Sequence, residues 1–187
     1  MVVYGIQHPD PRSLTRPLLE YAARIHWDLT PPLQLERTDR GKPFFPDHPE
    51  LHFNISHSGT FIVCALSNTP VGVDIQVHRP SCTAFLDRLC SDEERAWLLA
   101  RQDSPAAFAR LWTMKESRCK WSGQGLTRPI SNIVVPLPLG DERHLSLDTL
   151  TFSLRSGPDW QLCLCSAKAW DGEVQWITNL SSILTEE

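Results

Sequence analysis

The sequence predicts an α+β fold, on three observations: a helical pattern near the amino terminus gives way to strand patterns, the same order recurs further on, and Pro, Gly and Asn signals separate the pieces. The first helix is expected over 13–27, where Leu14, Leu18, Tyr21, Ala22 and Ile25 recur at helical spacing. Pro17 suits its first turn, because an N–H there has no intrahelical partner to lose. Strands are expected at 51–55, 61–67 and 71–77, the middle one apolar enough to be buried on both faces. Asn68, Thr69 and Pro70 mark the turn between the last two. Ser91, with Glu94 three residues on, has the spacing of a capping box and should open a helix to about residue 101. Ser104 as N-cap and Pro105 at the first helical position open another, which Gly123 stops after about five turns. Short strands are then expected at 132–135, 151–155, 161–167 and 174–177. The recurrence divides the chain into an amino-terminal α+β half at 1–69 and a larger carboxy-terminal half at 70–187.

Composition sets the class. The chain has 187 residues, 41% of them apolar, enough for one domain or two small halves. A net charge of -4 argues against a nucleic-acid partner, which would call for a clustered basic face. No stretch approaches the roughly 18 apolar residues of a membrane helix, and residues 1–9 lack the basic start and apolar run of a secretory signal. A soluble, cytoplasmic protein with no membrane partner is expected. Cys64, Cys82, Cys90, Cys119, Cys163 and Cys165 form no C-x-x-C pair and read as buried free thiols. His8, His26, His48, His52, His78 and His144 share no metal-ligand spacing.

Two segments carry the chemistry. Val71, Val73 and Ile75 alternate with Gly72, Asp74 and Gln76, so Asp74 and Gln76 point to one side of a strand while the apolar set packs. On the helix from Pro105, Glu116 and Lys120 stand four residues apart on one face, with Trp112 one turn earlier. Such a pair is commonly a solvated ion pair. Placed beside Asp74, it would offer two carboxylates to a hard cation and an ammonium to an anion, an arrangement suited to chemistry on phosphates. Lys115 points about 100° away from Glu116 and reads as a secondary phosphate contact or plain surface. Arg37, Arg40 and Lys42 cluster, as do Arg110, Lys115, Arg118, Lys120 and Arg128; each group is a local anion site or solvated charge. Residues 81–98, with Phe85, Leu86, Leu89 and Trp97, form either an apolar docking face or ordinary core packing.

The run Gly72-Val73-Asp74-Ile75-Gln76, followed by Trp112-Thr113-Met114-Lys115-Glu116-Ser117 and Lys120, closely resembles the two signature segments of the Sfp-type 4'-phosphopantetheinyl transferases. Gly41-Lys42-Pro43, Phe53-Asn54-Ile55-Ser56-His57-Ser58-Gly59 and Gly123-Gln124-Gly125-Leu126 resemble further segments of that family in the same order. The resemblance covers roughly residues 37–126. It implies a pseudo-dimeric fold of two similar halves with the active site between them, a monomer, and transfer of 4'-phosphopantetheine from coenzyme A to a serine of an apo acyl or peptidyl carrier protein. Adenosine 3',5'-bisphosphate would be released. The resemblance also implies Mg2+, or Mn2+, held by Asp74, Glu116 and the residue at Gln76. Glu116 would be the general base and Lys120 would neutralise the leaving group. Coenzyme A contacts would come from Arg37, Lys42, Ser56, His57, Asp74 and Lys120, with His57 a donor to the 3'-phosphate. Two departures stand out: many relatives carry a second acid where this chain has Gln76, and the chain opens close to its first helix without the longer arm of larger members. They motivate one alternative, a non-catalytic coenzyme A or carrier-protein binding module; a second is a metal-dependent phosphoesterase using Asp74 and Glu116.

Overall fold

The computed structural model describes residues 1–80, 83–102, 104–125 and 129–184. Its first element, β1 (Val2–Gln7), had no counterpart in the sequence-based expectation, because a short terminal apolar run broken by Gly5 has neither strand nor helix periodicity. A 3-10 turn leads into α1 (Thr15–Trp27), which ends at Asp28 in the left-handed region. The small hairpin of β2 (Glu36–Arg37) and β3 (Pro43–Phe44) follows. Next come β4 (His52–Ser58), β5 (Phe61–Ser67) and β6 (Val71–Val77). The helical stretch is α2 (Thr83–Leu89), α3 (Asp92–Leu99) and α4 (Pro105–Ser122). Ser91 forms the expected capping box with Glu94, and Gly123 ends α4 at φ 64°, where a residue with a Cβ would be strained. The chain closes with β7 (His144–Leu147), β8 (Leu150–Ser156), β9 (Trp160–Ser166), β10 (Val174–Trp176) and α5 (Ser181–Leu184).

One expected strand is absent. Residues 132–135 follow a 3-10 turn at Ile130–Asn132 and run irregularly. Pro129, Pro136 and Pro138 remove amide donors from this segment, so it has little with which to build a ladder. β7 stands in the second sheet instead, at a site where no strand was expected.

The α+β class holds, with two four-stranded sheets in the orders β10-β1-β5-β4 and β6-β9-β8-β7. α1 covers the outer face of the first sheet, where Leu18, Leu19, Ala22 and Ala23 meet Tyr4, Ile6, Ile62 and Cys64. The inner faces of the two sheets pack together through Val3, Val63 and Ala65 against Val71, Val73, Ile75, Leu162 and Leu164. α4, with α2 and α3, covers the outer face of the second sheet. β5 is buried along its whole length, as its apolar run predicts. β10 pairs in parallel with β1, and α5 packs on α1, so the end of the chain returns to the first sheet. Facing edges β4 and β6 bring the two sheets together.

Cys64, Cys163 and Cys165 are buried free thiols, Cys119 is a half-buried one and Cys90 is buried; Cys82 lies outside the described residues. Burial raises the thiols of Cys64, Cys119, Cys163 and Cys165, the last to about 12. No described helix is long and apolar enough to cross a membrane.

Candidate active site

The site forms where α4 crosses β6, and a glycine permits the crossing. A Cβ on Gly72 would lie 2.1 Å from the Ser117 carbonyl oxygen and 2.3 Å from the Trp121 nitrogen, so the helix backbone rests directly on the strand. Gly72 and Asp74 share a strand face, and the helix resting on one brings its Glu116–Lys120 face over the other. Lys120 Nζ donates to Asp74 Oδ1 at 2.7 Å and to the Val73 carbonyl at 3.2 Å. The helix-face pair of Glu116 and Lys120 is therefore drawn into a three-residue cluster rather than left in solvent.

Asp74 is almost completely buried, with Oδ1 also accepting from Ser56 Oγ at 2.6 Å. Burial raises the Asp74 carboxyl, opposed by Lys120, Ser56 and His57. Its Oδ2 is buried and without a hydrogen-bond partner. The Glu116 carboxyl is likewise raised, first by burial, then by the charge of Asp74, with Lys120 opposing. Two carboxyls both raised by burial, one of them with an unsatisfied buried oxygen, fit a small hard cation that binds through one or two carboxylates and completes its shell from substrate and water. Among the described residues no group of three or more His, Cys, Asp and Glu side chains could hold a metal by itself. Gln76, next on the Asp74 face, donates its amide nitrogen to the Val77 carbonyl at 3.1 Å.

The segment around Gly41-Lys42-Pro43, in the β2–β3 hairpin, closes the cleft. Lys42 Nζ donates to the carbonyls of Lys120 at 2.8 Å and Trp121 at 3.2 Å, capping the end of α4 from another element. Arg40 reaches the Gln124 carbonyl, and Arg37 turns back on Gly41. A cavity of about 230 Å³ lies between this loop and α4, bordered by Arg40, Asn54, Glu116, Cys119 and Lys120. A larger one of about 500 Å³ continues past Lys42 toward His52, Phe44 and Trp121. The smaller cavity is bordered by Glu116 and Lys120; the larger shares only the loop and the end of the helix.

Lys115 is neither surface nor a phosphate contact: it is 1% exposed, paired with Glu94 at 2.7 Å, and donates to the carbonyls of Leu89 and Ile130. The second basic cluster does not assemble, since Arg110 binds the Gly140 and Glu142 carbonyls and Arg118 that of Val134. Arg128 lies outside the described residues, as does Leu126 of the glycine segment. Trp112 packs against the core beside Phe108. Leu86, Trp97 and Leu98 are buried in the α2–α4 core, which favours packing over docking for that segment; the Phe85 side chain lies outside the described residues. His57 is exposed on β4. The bond from Ser56 to Asp74 was not visible in the sequence, because 18 residues separate the partners.

Residues 70–179 match the family model described as the 4'-phosphopantetheinyl transferase superfamily. The chain belongs to that superfamily. Residues 11–69 match a second model, described as 4'-phosphopantetheinyl transferase, N-terminal. Among similar proteins, a 4'-phosphopantetheinyl transferase of Bacillus subtilis is 40% identical over 110 residues, 58% of this chain and 48% of the relative. The 4'-phosphopantetheinyl transferase ffp of Bacillus subtilis is 32% identical over 148 residues, 73% of this chain and 64% of the relative. The 4'-phosphopantetheinyl transferase AcpT of Salmonella typhimurium is 34% identical over 132 residues, 67% of this chain and 68% of the relative. The matched part of the chain thus spans about half the length of the first of these.

Proposed function

We propose that this chain transfers the 4'-phosphopantetheine group of coenzyme A to a serine of an apo acyl or peptidyl carrier protein, releasing adenosine 3',5'-bisphosphate. The observation that carries the reading is the ion pair of buried Asp74 with Lys120, and the raised Glu116 carboxyl beside it, in a chain of this superfamily. A serine hydroxyl is a weak nucleophile, and a carboxylate whose proton affinity is raised by burial is a better base for it. Glu116 takes the hydroxyl proton, directly or through water. The serine oxygen bonds to the phosphorus next to the pantetheine arm, and the bond from that phosphorus to the adenosine bisphosphate oxygen breaks. Lys120 lies where charge grows on the leaving group.

Asp74 and Glu116 would hold Mg2+, or Mn2+, with Gln76 a neutral neighbour, and the cation would offset charge on the pyrophosphate oxygens. Arg37, Lys42 and His57 would meet the 3'-phosphate. Lys42 keeps one ammonium hydrogen beyond the two given to α4. The two halves, 1–69 and 70–187, we read as a pseudo-dimer, on the ground that each sheet carries a helix on its outer face and the site lies at their junction. A cytoplasmic monomer suits these substrates. Retention of both Glu116 and Lys120 in one cluster favours transfer over a binding-only module or a phosphoesterase.

Intact mass spectrometry of apo carrier proteins incubated with the protein, coenzyme A and Mg2+ tests the reading. A gain of one phosphopantetheine on the carrier serine, falling by about 10²–10⁴-fold in rate for Glu116→Ala, is expected. Absence of any gain with coenzyme A still bound would indicate the binding module; free phosphopantetheine without a carrier would indicate the phosphoesterase.

A further inference from the structure

The edge strands β4 and β6 belong to different sheets, and an edge strand leaves a row of amides without backbone partners. Here β4 meets that row with side chains. Asn54 Oδ1 accepts from the Val73 amide at 2.9 Å, Ser56 Oγ from Ile75 at 3.4 Å, and Ser58 Oγ from Val77 at 3.1 Å. Alternation along β4 puts the three side chains on one face, at the spacing of alternate amides on β6. Short polar side chains thus replace a ladder, and the sheets are joined in a fixed register.

Ser56 does something its two neighbours do not. Besides accepting from Ile75, it donates its hydroxyl hydrogen to Asp74 Oδ1 at 2.6 Å. Lys120 occupies the same oxygen at 2.7 Å, so Oδ1 is held from two sides and Oδ2 is the oxygen left without a partner. Ser56 is itself 5% exposed, and a hydroxyl has a single hydrogen to give. With that hydrogen committed to Asp74, Ser56 has none to offer a phosphate.

We infer that Ser56 is a positioning residue that acts through Asp74, fixing the rotation of its carboxylate so that Oδ2 faces the divalent cation. This rests on the proposed function for the presence of that cation in the cleft. It recasts the sequence-based role of Ser56, from coenzyme A contact to orienter of a metal ligand. The Asn54–Ser56–Ser58 row couples the register of the two sheets to the aim of one carboxylate. Outer partners that orient a metal ligand are commonly worth ten- to a hundredfold in metal affinity.

Ser58→Ala is the matched control, because it removes one bond of the same row without touching Asp74. Mn2+ binding is measured by electron paramagnetic resonance of the free ion, with coenzyme A present and no carrier. Coenzyme A affinity is measured by calorimetry in EDTA, and stability by thermal unfolding. Ser56→Ala should weaken Mn2+ by about tenfold and leave metal-free coenzyme A affinity within about twofold. Ser58→Ala should keep wild-type Mn2+ affinity while losing comparable thermal stability. Unchanged Mn2+ affinity in Ser56→Ala would overturn the inference, and so would equal losses in the two variants. Weakened coenzyme A binding in EDTA would return Ser56 to the phosphates. A wild-type protein that binds no Mn2+ would also overturn it. If wild type binds Mn2+ and Ser56→Ala weakens it, yet no carrier is modified, the inference stands and the transfer reading falls.

Discussion

Each sheet is covered by a helix, and the two helices differ in what they bury. α1 lies on the first sheet with Leu18, Leu19, Ala22 and Ala23, all apolar. α4 lies on the second with Phe108, Leu111 and Met114, but also buries Thr113, Lys115 and Ser117. Its two lysines near the site go opposite ways: Lys115 is locked against Glu94 in the core, while Lys120 reaches Asp74 at the cleft with its side chain 26% exposed. Burying charge costs free energy that apolar contacts do not, so a helix that carries it is held to one position by more than shape. α1 supports a sheet; α4 supports a sheet and holds reactive groups in register.

The largest expected effect breaks the polar side of this contrast. Lys115→Met strands the Glu94 carboxylate in the core and should cost about 3–5 kcal/mol of unfolding free energy in denaturant titration. Gly72→Ala comes next, since its Cβ would meet α4 backbone atoms at 2.1 and 2.3 Å. It should cost about 3 kcal/mol and also reduce transfer, because the helix must lift off the strand that carries Asp74. Leu19→Ala, on the apolar side, should cost about 2.5 kcal/mol by opening a cavity, with the Mg2+ requirement of the remaining folded enzyme unchanged. A shift in that requirement would show that α1 too bears on the site.

Smaller effects sharpen the comparison through pH and charge. Glu116 must be ionised to act as base, and its carboxyl is raised by burial, so activity should fall as pH drops through a value above the 4.5 of an ordinary glutamate. An acid limb of kcat/KM at or below that value would remove Glu116 from this role. A group raised in the folded state costs stability once ionised, and this cost appears as pH rises through the folded value. Glu116→Gln should therefore raise the midpoint temperature slightly at neutral pH while slowing transfer by about 10²–10⁴-fold.

What could be read beforehand followed local pattern. The alternation of β6, the capping box at Ser91 and Glu94, and the Pro105 start and Gly123 stop of α4 are written in neighbouring residues, and each appears as expected. β1 lacked periodicity, and the prolines of 129–138 worked against a strand that β propensity alone suggested. The environment of Lys115 depends on Glu94, Leu89 and Ile130, brought together only by packing. Asp74, Glu116 and Lys120 were identifiable as a set from the resemblance. The Ser56 bond and the Gly72 contact that aim them were not, since both arise between distant segments.

The central claim is that Asp74 Oδ2 and Glu116 form the cation end of the cleft. Calorimetric titration of coenzyme A with and without Mg2+, on wild type and on Asp74→Asn, tests it most directly. Mg2+ should tighten coenzyme A binding to wild type by about tenfold or more and leave Asp74→Asn unaffected. Equal tightening in both proteins would contradict the claim and place the cation elsewhere.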